Sequence, residues 1–214
     1  MVNFLSQYGM QILVKTWEQV YISFFAIALG IAIAVPLGVV LTRFPKVAKI
    51  IIAIASMLQT IPSLALLALL ALMIPLFGIG KIPAIVALFI YSLLPILRNT
   101  YIGMNNVNPT LKDCAKGMGM KPIQSIFQVE LPLATPIIMA GIRLSTIYVI
   151  AWATLASYIG AGGLGDLIFS GLNLFQSKLI LGGTIPVIIL SLIIDYLLGL
   201  LETALTPRTT RREA

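Results

Sequence analysis

Long uncharged stretches alternate with short charged ones along this chain, and that alternation predicts its elements. Charge is absent from 19–42, 50–80, 82–97, 144–165 and 179–194, runs of 24, 31, 16, 22 and 16 residues. A helix rises ~1.5 Å per residue, so about 20 apolar residues cross a hydrocarbon core of ~30 Å. The pattern predicts an all-α integral membrane protein with five transmembrane helices, over about 19–42, 50–77, 82–101, 134–157 and 179–203. The 31-residue run is too long for one upright helix and too short for two. It reads as one tilted or broken span, with Pro62 and Pro75 where the backbone ladder fails. Residues 1–18 are mixed and read as a lead-in lying at the interface.

With five spans, ten Lys and Arg residues fall on one side: Arg43, Lys46, Lys49, Arg98, Lys112, Lys116, Lys121, Arg208, Arg211 and Arg212. Three fall on the other, Lys15, Lys81 and Lys178. The positive-inside rule then places the N-terminus outside and the C-terminus in the cytoplasm. The loop 102–132 becomes cytoplasmic, and the glycine-rich loop 158–178 external. The whole chain, 1–214, reads as a single transmembrane domain.

Polar residues inside such spans carry the information, because lipid cannot satisfy them. Gln59, Thr60 and Ser63 surround Pro62, and face either a neighbouring helix or a water-filled translocation path. Tyr91, Tyr148 and Trp152 are candidate path-lining aromatics, although spread over two spans and equally suited to packing or anchoring. Tyr158 extends the same set. Arg143 lies inside the fourth span, and Asp195 lies at a matching depth in the fifth. They are predicted to pair, either as a structural tie or as support for a cytoplasmic gate. Gly160, Gly162, Gly163, Gly165 and Asp166 form a dense glycine turn. It reads either as a re-entrant turn at an outer mouth or as a flexible connector.

Composition narrows the classes. Mean hydropathy is +1.05, with 59% hydrophobic and 10% charged residues, which places the chain in the membrane. The net charge of +7 then needs no nucleic-acid partner, since basic residues belong beside anionic lipid headgroups. Histidine is absent and Cys114 is the single cysteine, which removes disulfides and the usual zinc and haem ligands; no metal site is expected. No GxxxxGK[ST] loop occurs, so nucleotide chemistry has to come from another chain. Acids within the spans are sparse, Asp195 and Glu202, which furnishes a stand-alone secondary transporter poorly. No nucleophile–base pair supports an enzyme.

The segment 113–132, DCAKGMGMKPIQSIFQVELP, is the longest polar interruption. Its breaks at Gly117, Gly119 and Pro122 suggest two short helices at an angle, beginning at Asp113. Its spacing resembles the E-A-A, three residues, G, nine residues, I-x-L-P signature of permease subunits of binding-protein-dependent type I ABC importers. Here Asp113, Cys114 and Ala115 stand for E-A-A, Gly119 for the glycine, and Val129, Leu131 and Pro132 for the last motif. The resemblance implies coupling helices that insert into a separate ATPase, with Ala115 and Gly119 small so that docking is close. ATP and Mg would be bound by that ATPase and no cofactor by this chain. It also implies a second permease, identical or homologous, and an extracellular substrate-binding protein, lipid-anchored. The site is the bacterial cytoplasmic membrane. Further runs, QTIPS at 59–63, YSLLPILRNT at 91–100 and GAGGLGD at 160–166, are similar to the osmoprotectant branch, which imports glycine betaine, carnitine and choline. A methionine or other small-solute importer is the alternative within the same family.

Overall fold

The computed structural model describes residues 2–73 and 80–206 and is all-helical. Helix α1 (Val2–Leu41) is followed by α2 (Pro45–Thr60), α3 (Ser63–Met73), α4 (Lys81–Asn105), α5 (Pro109–Gly117) and α6 (Pro122–Ser125). A π turn (Ile126–Glu130) leads into α7 (Leu131–Ala156), then a 3-10 turn (Ser157–Ile159), α8 (Gly165–Asn173) and α9 (Ser177–Leu205).

Four helical segments are long and apolar enough to cross a membrane: Tyr8–Leu41, Lys81–Asn105, Pro122–Ile159 and Ser177–Leu205. The bent pair α2 and α3 makes a fifth if taken as one span. Apolar length therefore set the helices well and their edges poorly. The expected interfacial lead-in is instead the first four turns of α1, a continuous helix of 40 residues. Its one proline, Pro36, lies far from this segment, and Lys15 and Glu18 sit one turn apart as an ion pair of 3.0 Å. Of the two readings of the second run, tilted or broken, the structure has the broken one, with α2 and α3 meeting at 95° on either side of Pro62. The break falls at Ile61, which is extended at ψ 128° as the residue before Pro62 must be. Pro75 and the rest of 74–79 lie outside the described residues, as do Arg208, Arg211 and Arg212.

The fourth span starts earlier than 134. From Pro122 to Ile159 the chain forms one 38-residue helical segment, so the second of the two expected short helices is the foot of α7. The π turn lies just before Pro132, which has no N–H to give. A wider turn at that point absorbs a missing donor without a break.

Helices α1, α4 and α7 form the packed centre, where small residues let the backbones approach closely: Ala26, Ala34, Ala87, Ala153 and Ala156 are fully buried. One core half gathers Ile22, Leu67, Leu88 and Val149 near the glycine loop. The other gathers Leu41, Ile96, Met104 and Ile138 near α5. Helix α9 packs on α7 and α8 but presents Leu181, Ile188, Leu192 and Tyr196 outward, the surface expected of a span against lipid.

Candidate functional site

The signature segment projects from one end of the bundle. Asn108 starts α5: its side-chain oxygen accepts the Thr110 N–H at 2.9 Å, and Pro109 fills the first turn. Asp113 is therefore in the interior of α5 and not at its start, where the sequence pattern places it. It pairs instead with Lys116 at 3.1 Å, both exposed. The Asn-Pro dipeptide at 108–109 was the overlooked signal.

Ala115 is buried at 1% exposure, so its small size serves packing inside this chain rather than docking to another. Cys114 is exposed. Gly119 is needed for its backbone, with φ +78°, while a Cβ there would meet nothing within 4 Å. Within this chain, Ala115 is small for packing and Gly119 for its backbone. Val129, Leu131 and Pro132 are half-buried where the segment enters α7. Unanticipated from sequence, Met118, Ile123 and Phe127 project into solvent at 64–70% exposure. Apolar side chains this exposed on a polar projection mark an interaction surface.

Behind this surface lies a buried carboxylate that sequence reasoning missed. Glu130 ends the π turn and is 2% exposed. Its Oε1 accepts from Arg43 Nη2 at 2.7 Å and from Ser125 Oγ at 3.2 Å. Its Oε2 lies 3.7 Å from Lys112 Nζ, which also donates to the Met104 carbonyl at 2.9 Å. One residue so joins the α1–α2 connection, α5, α6 and the start of α7.

Arg143 and Asp195 come together as a bidentate pair, with two N–H···O contacts of 2.9 Å. Glu202 adds a third arm at 3.0 Å to Nη1. Asp195, Gly199 and Glu202 share the face of α9 that meets the guanidinium, a relation their four- and seven-residue offsets carry in the sequence. Two carboxylates on one arginine in the apolar bundle satisfy a cation that lipid cannot.

The aromatics converge rather than scatter. Tyr91 meets Trp152 at a ring-centroid distance of 4.7 Å, and Trp152 stacks on Tyr148 at 5.4 Å. Tyr91 is buried, while Tyr148 remains 43% exposed. The Tyr91 hydroxyl donates to the Ile61 carbonyl at 2.6 Å, and Gln59 Nε2 donates to the Tyr91 carbonyl at 2.9 Å. The break between α2 and α3 is therefore tied to the aromatic stack. Thr60 stays exposed, donating to Met57, and Ser63 opens α3 half-buried; neither joins the stack. Tyr158 lies elsewhere, edge-on to Phe169 at 5.5 Å.

At the opposite end the glycine loop is packed, which excludes the flexible connector. Ala161 to Gly165 are buried, and Gly160, Gly162 and Gly163 hold φ between +76° and +93°. Glu18 and Gln19 of α1 clasp the loop: Gly163 N–H donates to Glu18 at 3.1 Å and Leu164 N–H to Gln19 at 3.3 Å. Gln19 in turn donates to the Ile150 carbonyl of α7 at 2.8 Å. Lys81 contacts Glu18 at 3.0 Å, and Lys15 bridges Glu18 to Asp166 at 3.0 and 2.6 Å. A Cβ at Gly163 would stand 2.5 Å from Gln19 Oε1, so glycine is required there twice over.

A membrane bundle with a projecting, ion-braced helical foot fits a transport permease, and comparison with known proteins shows that class. The chain belongs to the family described as the binding-protein-dependent transport system inner membrane component, which matches residues 14–211. It is a multi-pass protein of the bacterial cytoplasmic membrane. More particularly, it is 57% identical to the carnitine transport permease protein OpuCB of Listeria monocytogenes, over 98% of this chain and 95% of that one. It is 58% identical to the glycine betaine/carnitine/choline transport system permease protein OpuCB of Bacillus subtilis, over 97% and 94%. A second permease protein of the same system name there, OpuCD, is 37% identical over 96% and 89%. The MetNI methionine ABC transporter in inward-facing conformations shares the fold, with TM-score 0.83 at 24% identity over 92% of this chain and 98% of that one.

Proposed function

We propose that this chain is the membrane-spanning subunit of an ATP-driven importer for quaternary ammonium compatible solutes: glycine betaine, carnitine and choline. The observation that carries the transport role is the α5–α6 projection, which presents Met118, Ile123 and Phe127 to solvent and is braced on Glu130. The substrate class rests on the names of its 57–58% identical relatives. In this reading α2 and α3 form one broken span, giving five, with the N-terminus outside and the C-terminus in the cytoplasm. The excess of Lys and Arg near α5 supports that orientation.

The projection docks into a separate ATPase, which binds ATP and Mg. Segment 113–132 then carries motion into the spans, and alternating access follows. The exposed Tyr148 ring stacked on Trp152 is a low-affinity surface for a quaternary ammonium, whose positive charge is attracted to the negative face of an aromatic ring. High-affinity recognition belongs to an extracellular binding protein, lipid-anchored in a single-membrane cell. The Arg143–Asp195–Glu202 cluster holds α9 to α7 and supports the cytoplasmic gate. The second permease is a homologous, non-identical chain, since two permease proteins share one system name in Bacillus subtilis and both resemble this one.

The test is ATP-driven uptake of labelled betaine, carnitine, choline and methionine into proteoliposomes holding this chain with its co-purified subunits. Uptake of the quaternary amines is expected. Methionine uptake in their place would refute the substrate class, and uptake without ATP would refute the importer.

A further inference from the structure

We propose that Glu130 is the positioning residue through which motion of α5 reaches the membrane helices, an inference that rests on the docking role just given. The helix α5 is nine residues long and packs chiefly on α6 and the π turn, not on the apolar bundle. The turn that follows it contains Gly119 at φ +78°, with open space around it. Along the chain from α5 to α7 that turn is the compliant point, although Lys112 also ties α5 to the end of α4 through the Met104 carbonyl. Glu130 bypasses the turn: Lys112 of α5, Ser125 of α6 and Arg43 of the α1–α2 connection all point at one carboxylate on the first residues leading into α7.

The chemistry suits a rigid joint. A carboxylate at 2% exposure cannot be left without its cations, because water does not replace them. Opening one arm is therefore costly, and α5, the α1–α2 elbow and α7 move together. Arg43 supplies the short contact, 2.7 Å, and reaches it from a half-exposed position. Its displacement would shift α1 and α2, and through Ile61 the Tyr91 stack. A neutral apolar contact would also pack, but it would slide; a charge held from three directions fixes direction as well as distance.

The test uses the whole complex in proteoliposomes and reads solute imported per ATP hydrolysed. For Glu130→Gln, assembly, basal ATPase and the KM for ATP are expected to stay at wild-type values, while import per ATP falls at least fivefold. Arg43→Met is expected to lower the ratio about threefold and Arg43→Lys to restore most of it. If Glu130→Gln does not assemble, the two Arg43 variants decide the matter. Wild-type ratios in Glu130→Gln and Arg43→Met would overturn the proposal. So would a loss of basal ATPase in proportion to import, since that pattern marks a merely structural residue. Failure of the underlying docking role would show in the wild type itself, as uptake that needs neither ATP nor an ATPase subunit.

Discussion

The two ends of this molecule are each organised around one glutamate, and they are built to different ends. Glu18, at the glycine loop, holds a backbone N–H and two lysines. Glu130, at the α5 end, holds an arginine, a lysine and a serine, all through side chains. The first is set in a wall of positive-φ glycines that admit no side chain, so its geometry is fixed by the backbone. The second closes a π turn at the root of a projecting helix, where side chains can carry load between segments that are otherwise loosely joined. A latch and a joint have used the same carboxylate chemistry.

The sharpest way to break this contrast is at the latch. Gly163→Val forces a branched side chain into φ +93° and onto Gln19. The backbone strain alone is about 1–3 kcal/mol. We expect a loss of most folded, extractable protein, read by size-exclusion yield and thermal unfolding in detergent. Next in size, Arg143→Ala leaves Asp195 and Glu202, seven residues apart on one face of α9, without their shared cation. Uptake should fall at least tenfold with ATPase activity retained; full transport with normal coupling would exclude a gating role.

Smaller again is the effect at Gly119, which separates backbone from bulk. Gly119→Asn, whose side chain tolerates the left-handed region, should keep most uptake, and Gly119→Val should lose about tenfold. Equal losses in both would restore close partner contact as the reason for glycine. The mildest change is Tyr91→Phe, which removes the 2.6 Å bond to Ile61 and leaves the ring stack. A loss of about 0.5–1.5 kcal/mol in thermal stability is expected, with a modest rise in the apparent KM for transport.

The fold was largely legible because lipid imposes one rule on every span: twenty or so residues without charge. Edges were less legible, since Lys15 and Glu18 looked like an interfacial segment until α1 was seen to carry them as a pair on one helix. Arg143 and Asp195 could be matched by depth alone, while Glu202 needed the further step of following its face of α9. The hold of Glu18 and Gln19 on the glycine loop, and of Glu130 on Arg43, gave no local sign, because those partners lie 145 and 87 residues away. Asp113 was misplaced because the motif drew attention away from the Asn108 cap five residues earlier. Tyr148 and Trp152 are four residues apart on one face of α7, a pair their spacing encodes, whereas Tyr91 reaches Trp152 only through the packing of α4 on α7.

The most direct measurement is a pair of spin labels at Lys46→Cys and Lys116→Cys in a Cys114→Ser background, on exposed positions of α2 and α5. Their distance would be followed in the assembled complex, with and without a non-hydrolysed ATP analogue. The Glu130 joint predicts one narrow distance in both states, broadening in Glu130→Gln. A wild-type distance that shifts with nucleotide would mean that α5 swings free of the α1–α2 elbow, and would contradict the account.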